Sequence, residues 1–254
     1  MIEKIKVRVS TYLMNILEND ALRFGFMKNG KSNKNALLNK LIPTLVEVRK
    51  ARRSEIESVL TNEFNREDSE NIYEAVNTVI DRVYFNGEEL DILEEYIWIR
   101  PSKDNRLIYD EIQQSEICIT AQDVTTYIRG ILNEYSCLPQ YKREMLTFDR
   151  ELDVFAESCS TNQIVHFYDK EAQKRYRAFA FEYVYGYLYD QTNYCIIYDL
   201  DSCIIKSIPL RRIQDIYTVK KKYKPNELLI NKMQEYLDNC RFDEEIHMED
   251  CNVF

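Results

Sequence analysis

From Lys4 to Val9 polar and apolar residues alternate without a break. A strand here carries Ile5, Val7 and Val9 on one face and Lys4, Lys6 and Arg8 on the other. The period changes at Ser10, a residue type suited to cap a helix. Leu13, Ile16, Leu17, Ala21 and Phe24 then recur at helical spacing until Gly25 supplies a stop. A second helix is predicted from near Ser32, with Ala36, Leu37, Leu41 and Leu45 inward and Pro43 kinking it.

The same order returns further along. Residues 96 to 102, Tyr-Ile-Trp-Ile-Arg-Pro-Ser, alternate again, so that Arg100 and Ser102 echo Arg8 and Ser10 at the same separation. Leu107, Ile108 and Ile112 suggest a helix behind them. Thr120 with Asp123 makes a capping box ahead of the amphipathic stripe Val124, Tyr127, Ile128, Ile131, Leu132 and Tyr135. Strand, helix and helix thus occur twice. Between the copies, residues 46 to 86 read as two helices joined near Asn65 to Ser69 and ending at the Asn86-Gly87 turn.

Beyond Gln163 the pattern becomes strand-like: 164–168, 175–181, 183–189, 194–198 and 203–208. Turns lie at Asp169-Lys170, Asp190 to Asn193 and Asp199 to Ser202. Five short strands predict a small barrel. A basic run at 220–224 leads to a last helix near Asn226 to Cys240 and an acidic tail whose composition suits disorder.

Composition narrows the chemistry. The net charge of -9 is unevenly spread: residues 1–53 hold twelve Lys/Arg against four Asp/Glu, and 54–161 hold nine against twenty-four. Residues 162–224 are basic again, eleven against seven, so two basic modules flank an acidic one. The N-terminus lacks a signal-peptide core and no run of eighteen apolar residues occurs, which points to the cytoplasm and away from membranes. Seven scattered cysteines without a C-x-x-C pair read as thiols.

Residues 25–32 match the P-loop pattern G-x-x-x-x-G-K-S, but helical periodicity precedes Gly25 where a P-loop needs a buried strand. A turn between two helices, with Ser32 as cap, is the expected structure. His166 and His247 have no companions that make a metal or nucleophile setting. No catalytic residue, metal or cofactor is expected.

One short basic strand followed by two helices resembles the ribbon-helix-helix fold. Such a unit normally completes its core by pairing strands with a second copy, within the chain or between chains. Further on, Tyr194-Cys195-Ile196-Ile197-Tyr198-Asp199 followed by Leu210-Arg211-Arg212-Ile213 is similar to the signature of WYL domains, while Asn193, Cys195 and Pro209 depart from it. Arg177 keeps the arginine of that family's Arg-x-Val-x-Pro strand, and Leu138 to Glu144 is similar to the connector that precedes such domains. WYL domains are Sm-like barrels in bacterial transcription regulators and phage-defence accessory proteins, where they bind nucleic acids or nucleotide-like ligands. Together the two halves resemble the accessory proteins of RNA-targeting type VI-D CRISPR systems.

The resemblance implies an α+β chain. A ribbon-helix-helix unit would occupy 1–48, a helical connector 49–94 and a second such unit with its connector 95–150. A five-stranded Sm-like WYL barrel at 151–219 and the basic run, helix and tail at 220–254 would follow. It implies single-stranded RNA or DNA as ligand, an RNA-guided nuclease as partner and a homodimer. The rival is a repressor whose ribbon reads an operator and whose barrel senses a ligand. Carried over, the family's polar pocket falls on His166, Tyr168, Arg177, Tyr194 and Arg212, and the basic residues Arg175, Lys206 and Arg211 join them as nucleic-acid contacts. Lys4, Lys6 and Arg8 would face the nucleic acid from the ribbon. On the second strand, Tyr96 and Trp98 occupy the outward positions, where aromatic rings are poor readers of a duplex groove.

Overall fold

A computed structural model describes residues 4–63, 94–114, 124–187, 191–239, 242 and 244–248. The chain divides into two compact units, Met1–Leu138 and Pro139–Phe254. The helix junction near 65–69, the Asn86-Gly87 turn and the Thr120–Asp123 capping box lie outside the described residues.

In the first unit, β1 (Ile5–Ser10) pairs antiparallel with β4 (Glu94–Ile99), setting Lys6 against Trp98, Val7 against Ile97 and Arg8 against Tyr96. The alternation does what it predicts: Ile5, Val7, Val9, Ile97 and Ile99 are buried, whereas Lys4, Lys6, Arg8, Tyr96 and Trp98 stand outward. Helix α1 (Thr11–Arg23) starts where the Ser10 hydroxyl accepts from the Leu13 amide at 3.1 Å. It buries Leu13, Leu17, Ala21 and Phe24, and its one buried carboxylate, Asp20, accepts from the Tyr135 hydroxyl at 2.8 Å.

The P-loop-like segment is a hairpin. Strands β2 (Met27–Lys28) and β3 (Lys31–Ser32) close on Asn29 and Gly30, both at positive φ, as a two-residue turn of that hand requires. It follows a helix, not a strand. Ser32 does not cap the next helix: its hydroxyl donates to Glu18, and the Asn33 carboxamide oxygen accepts from the Ala36 amide at 3.1 Å instead. That helix, α2 (Lys34–Glu63), runs on through Pro43 and buries Leu37, Leu38, Leu41, Ile42, Leu45 and Val46. Helices α3 (Arg106–Gln114) and α4 (Val124–Ser136) follow β4, and α4 lays Tyr127, Ile128, Ile131, Leu132 and Tyr135 into the core. Ser102 repeats the role of Ser10, its hydroxyl accepting from the Asn105 amide. Strand, helix and helix are therefore present twice, with the two strands paired inside one chain.

In the second unit, α5 (Gln140–Thr147) and α6 (Asp149–Thr161) lead into an antiparallel sheet. Its strands are β5 (Gln163–Asp169), β6 (Lys174–Val184), β7 (Tyr194–Asp199), β8 (Ile204–Pro209), β9 (Ile213–Lys222) and β10 (Ile246–His247). The spatial order is β10-β8-β7-β6-β5-β9. Its end strands are not bonded to each other, so the sheet is six-stranded and open where a five-stranded closed barrel is expected. Two local features account for the difference. The run at 175–181 continues through Val184 as one strand, across a bulge between Ala180 and Glu182, so the start of the run predicted at 183–189 belongs to β6. Past Pro209 the chain, for which no strand is expected, turns through a short 3-10 helix (Leu210–Arg212) and returns as β9 beside β5. Part of the acidic tail is ordered as β10 against β8.

Helix α6 packs on one face of the sheet, over β5, β6 and β9. Helix α7 (Glu227–Asp238) covers part of the other face, where Leu229, Met233 and Tyr236 meet Phe179, Ile196, Tyr198 and Ile205. Cys203 is disulfide-bonded, against the reading of every cysteine as a thiol.

Candidate nucleic-acid interface

The register of β6, β5 and β9 lines up two rows of side chains. Arg177 faces His166, which faces Tyr217; beside them Arg175 faces Tyr168, which faces Gln214. Residues opposite one another in adjacent antiparallel strands project from the same face. Their neighbours Phe167 and Tyr176 stack on the opposite face at 5.2 Å. The His166 and Tyr217 rings lie 5.2 Å apart and within 7° of parallel, and Tyr217 is 49% exposed. The Arg175 guanidinium sits 5.8 Å from the Tyr168 ring. Aromatic faces flanked by guanidinium groups, open to solvent, make a surface on which unpaired bases stack while cations meet phosphates.

Both arginines of these rows have carboxylate partners. Arg177 donates from Nε and Nη2 to the Asp201 Oδ1 at 2.9 and 2.7 Å, and Arg175 lies 3.8 Å from Asp215. These pairs are solvent-exposed on both sides. Pairs of that kind contribute about 0–1 kcal/mol, so a phosphate can displace the carboxylate at small cost.

The other sequence-predicted contacts are placed elsewhere. Arg212 donates to both oxygens of the fully buried Asp169, at 3.0 and 2.6 Å. Burial pushes the Asp169 carboxyl up, but Arg212 and the backbone amides of Ala172 and Glu171 hold it below its ordinary value. Asp199 ends β7 in the same way, accepting from Lys174 at 3.0 Å and from the Ser202 hydroxyl. These motif residues anchor turns.

Tyr194 turns toward α7, its ring 5.1 Å from Phe242 and edge-on to Tyr187. Lys206 donates to Glu245 at 2.7 Å on the Tyr176 side of the sheet. Arg211 reaches Thr192 at 3.0 Å and Glu144 at 3.4 Å. Glu144 belongs to a buried network that sequence reasoning did not find. Its Oε2 accepts from both the backbone and the side-chain nitrogen of Asn193, at 3.0 and 2.7 Å, and burial pushes its carboxyl up. Asn193, a departure from the family signature, is thus a hub. Its side chain also donates to the Tyr141 carbonyl and accepts from the Gly186 amide.

Tyr217 is the other residue that sequence reasoning missed. Its signal was the run of β-formers Ile213, Ile216, Tyr217 and Val219, obscured by the lysines that follow. In the first unit, Lys4, Lys6 and Arg8 share the outward ribbon face with Tyr96 and Trp98. Among the described residues no group of three or more His, Cys, Asp or Glu side chains is arranged to hold a metal ion. No described helix is long and apolar enough to cross a membrane.

No family model matches this sequence, and no curated protein does so. The fold does have a solved likeness. The crystal structure of a CRISPR Cas-related protein superposes with a TM-score of 0.66 at 13% identity, over 95% of this chain and 72% of that one. The proteasome accessory factor B/C (PafBC) of Arthrobacter aurescens aligns with 50% of this chain and 22% of its own, at a TM-score of 0.29 and 12% identity. The chain shares the fold of the CRISPR Cas-related protein.

Proposed function

We propose that this chain is a non-enzymatic, WYL-type accessory protein that binds single-stranded RNA and modulates an RNA-guided, RNA-targeting CRISPR nuclease. In this reading the paired strand-helix-helix copies are ribbon-helix-helix units, the sheet of the second unit is a WYL domain of Sm-like ancestry, and the protein works as a cytoplasmic homodimer without a cofactor. The observation that carries it is the row Arg177–His166–Tyr217. A strand-by-strand alignment of cation, stacked ring and exposed ring suits a polyanion with unpaired bases. The likeness to a CRISPR Cas-related protein over nearly the whole chain supports the setting.

Fluorescence anisotropy of labelled single-stranded RNA and of duplex DNA, compared at matched salt and repeated over a salt series, tests it. Single-stranded RNA is expected to bind more tightly, with a steep salt dependence, and Tyr217→Ala with Arg177→Ala to weaken it by about tenfold or more. The same double variant should lose any stimulation of RNA cleavage by the CRISPR nuclease. Tight, sequence-selective duplex binding that is lost on Lys6→Ala would replace this reading with that of an operator-binding repressor.

A further inference from the structure

The ribbon of the first unit carries a feature that neither a solvated strand face nor a duplex-reading ribbon explains. The Lys4 ammonium lies 3.5 Å from the centre of the Trp98 ring, and the Lys6 ammonium lies 3.7 Å from that of Tyr96 and 5.6 Å from Trp98. Both rings are about half exposed, 54% for Tyr96 and 48% for Trp98. Arg8 pairs with Glu94, while the ring faces are the partners of the two lysines. The face is cationic and aromatic together: its lysines come from residues 1–53, which hold twelve Lys/Arg against four Asp/Glu, and its rings come from β4.

Tyr96 and Trp98 are two residues apart on one strand, hence spaced by about 6.7 Å. That backbone spacing is about twice the 3.4 Å rise of one nucleotide in a stacked strand, so the two rings are attached at a separation commensurate with the bases of an unpaired strand. A duplex has its bases already stacked and offers only their edges. An unpaired strand offers both the faces that the rings stack on and the phosphates that draw the lysine ammonium groups off them.

We propose that the outward face of this ribbon is a second binding site for single-stranded nucleic acid. Tyr96 and Trp98 stack on bases there, and Lys4 and Lys6 swing from the rings to the phosphates. The site stands on the first unit alone and does not depend on the sheet face formed by Arg177, His166 and Tyr217.

Trp98 is the only tryptophan of the chain, so its emission reports on this face and nothing else. The full-length protein is titrated with a short oligouridylate carrying a 5′ dye, following tryptophan emission and dye anisotropy in parallel. Saturable quenching of Trp98 is expected. It should be retained in Tyr217→Ala with Arg177→Ala, and its midpoint should move to about tenfold higher RNA in Tyr96→Ala and in Lys4→Ala with Lys6→Ala. A matched DNA duplex should leave the emission unchanged.

Anisotropy that rises while Trp98 emission stays flat would overturn the ribbon site and leave the sheet face standing. Quenching that vanishes with the Tyr217 and Arg177 substitutions would also overturn it, by making the ribbon signal secondary to the sheet. Quenching that survives while those substitutions leave anisotropy untouched would support the ribbon and remove the sheet-face reading. Tyr96→Phe separates stacking from folding: it keeps the ring and should bind as the native chain does.

Discussion

The side-chain amide of Asn105 donates to the backbone carbonyl of Asn39, the carbonyl that Pro43 deprives of its helical partner. A proline at position i leaves the carbonyl at i−4 without its amide, and a buried orphan of that kind is costly. Here the second strand-helix-helix copy supplies the missing donor to the first. The same turn of α2 holds the exit from β4: Asn39 Oδ1 accepts from the Ser102 amide at 2.7 Å, and Asn35 Oδ1 accepts from the Arg100 amide at 2.8 Å. Asn105→Ala is expected to destabilise the protein by about 1–3 kcal/mol. In a Pro43→Ala background the restored amide can serve Asn39, so the cost should shrink. A urea-denaturation double-mutant cycle with strictly additive effects would disprove the coupling.

Glu134 in α4 is the acid whose titration should be visible in folding. Burial pushes its carboxyl up to about 7 even though Arg49 and Arg52 of α2 lie 3.6 and 3.9 Å away and pull the other way. Its Oε1 receives no hydrogen bond among the described residues. The folded state therefore holds a proton that the unfolded chain releases near the ordinary value of 4.5. Stability is expected to fall as pH rises from about 4.5 to 7, by on the order of 3 kcal/mol, and to level off above that. Chemical denaturation across this range should show the slope in the native chain and a flatter profile in Glu134→Gln, which gains stability most at pH 8. An unchanged slope would mean that the two arginines hold the carboxylate ionised throughout.

The first unit was legible because its periods are pure. Ser10, Leu13 and the alternation of Lys4 to Val9 each specify local structure by themselves, and the echo at Arg100 and Ser102 exposed the duplication. The sheet was legible strand by strand but not in its closure. A bulge near Glu182 reads as a break in alternation, and β9 follows a turn through Pro209 and Leu210 and ends in lysines, so it resembles an exit. The candidate site suffered most from this. Which arginines are free is decided by partners distant in sequence, Asp169 for Arg212 and Glu144 for Arg211, and no local pattern encodes those pairings.

Gly186 sets how closely the segment after β6 approaches α5. Its φ is +65°, and a Cβ there would come within 3.0 Å of the Tyr141 ring. Gly186→Ala meets both penalties, the left-handed backbone at about 1–2 kcal/mol and the clash with the ring. Adding Tyr141→Ala should remove the steric part alone, so the loss caused by the alanine at 186 should be smaller in that background. Thermal unfolding of the four proteins checks this, and equal losses in both backgrounds would show that backbone strain is the whole effect.

Arg212 and Tyr217 lie five residues apart and should separate cleanly into structure and binding. Removing Arg212 leaves Asp169 buried with its main countercharge gone, and losses from such unpaired buried charges run to about 3–5 kcal/mol. Because the folded carboxyl is held below its ordinary value, the stability it contributes is present above the unfolded pKa and is lost as pH falls through the folded one. Arg212→Ala should therefore cost most at neutral pH and less in acid, and at a temperature where it is still folded it should bind single-stranded RNA as the native protein does. Tyr217→Ala, at an exposed position, should unfold like the native chain and bind about tenfold more weakly or worse. Denaturation and RNA-binding curves on the two variants decide the assignment. If Arg212→Ala folds with native stability but fails to bind, the arginine belongs to the ligand, and the sheet-face row is not the whole site.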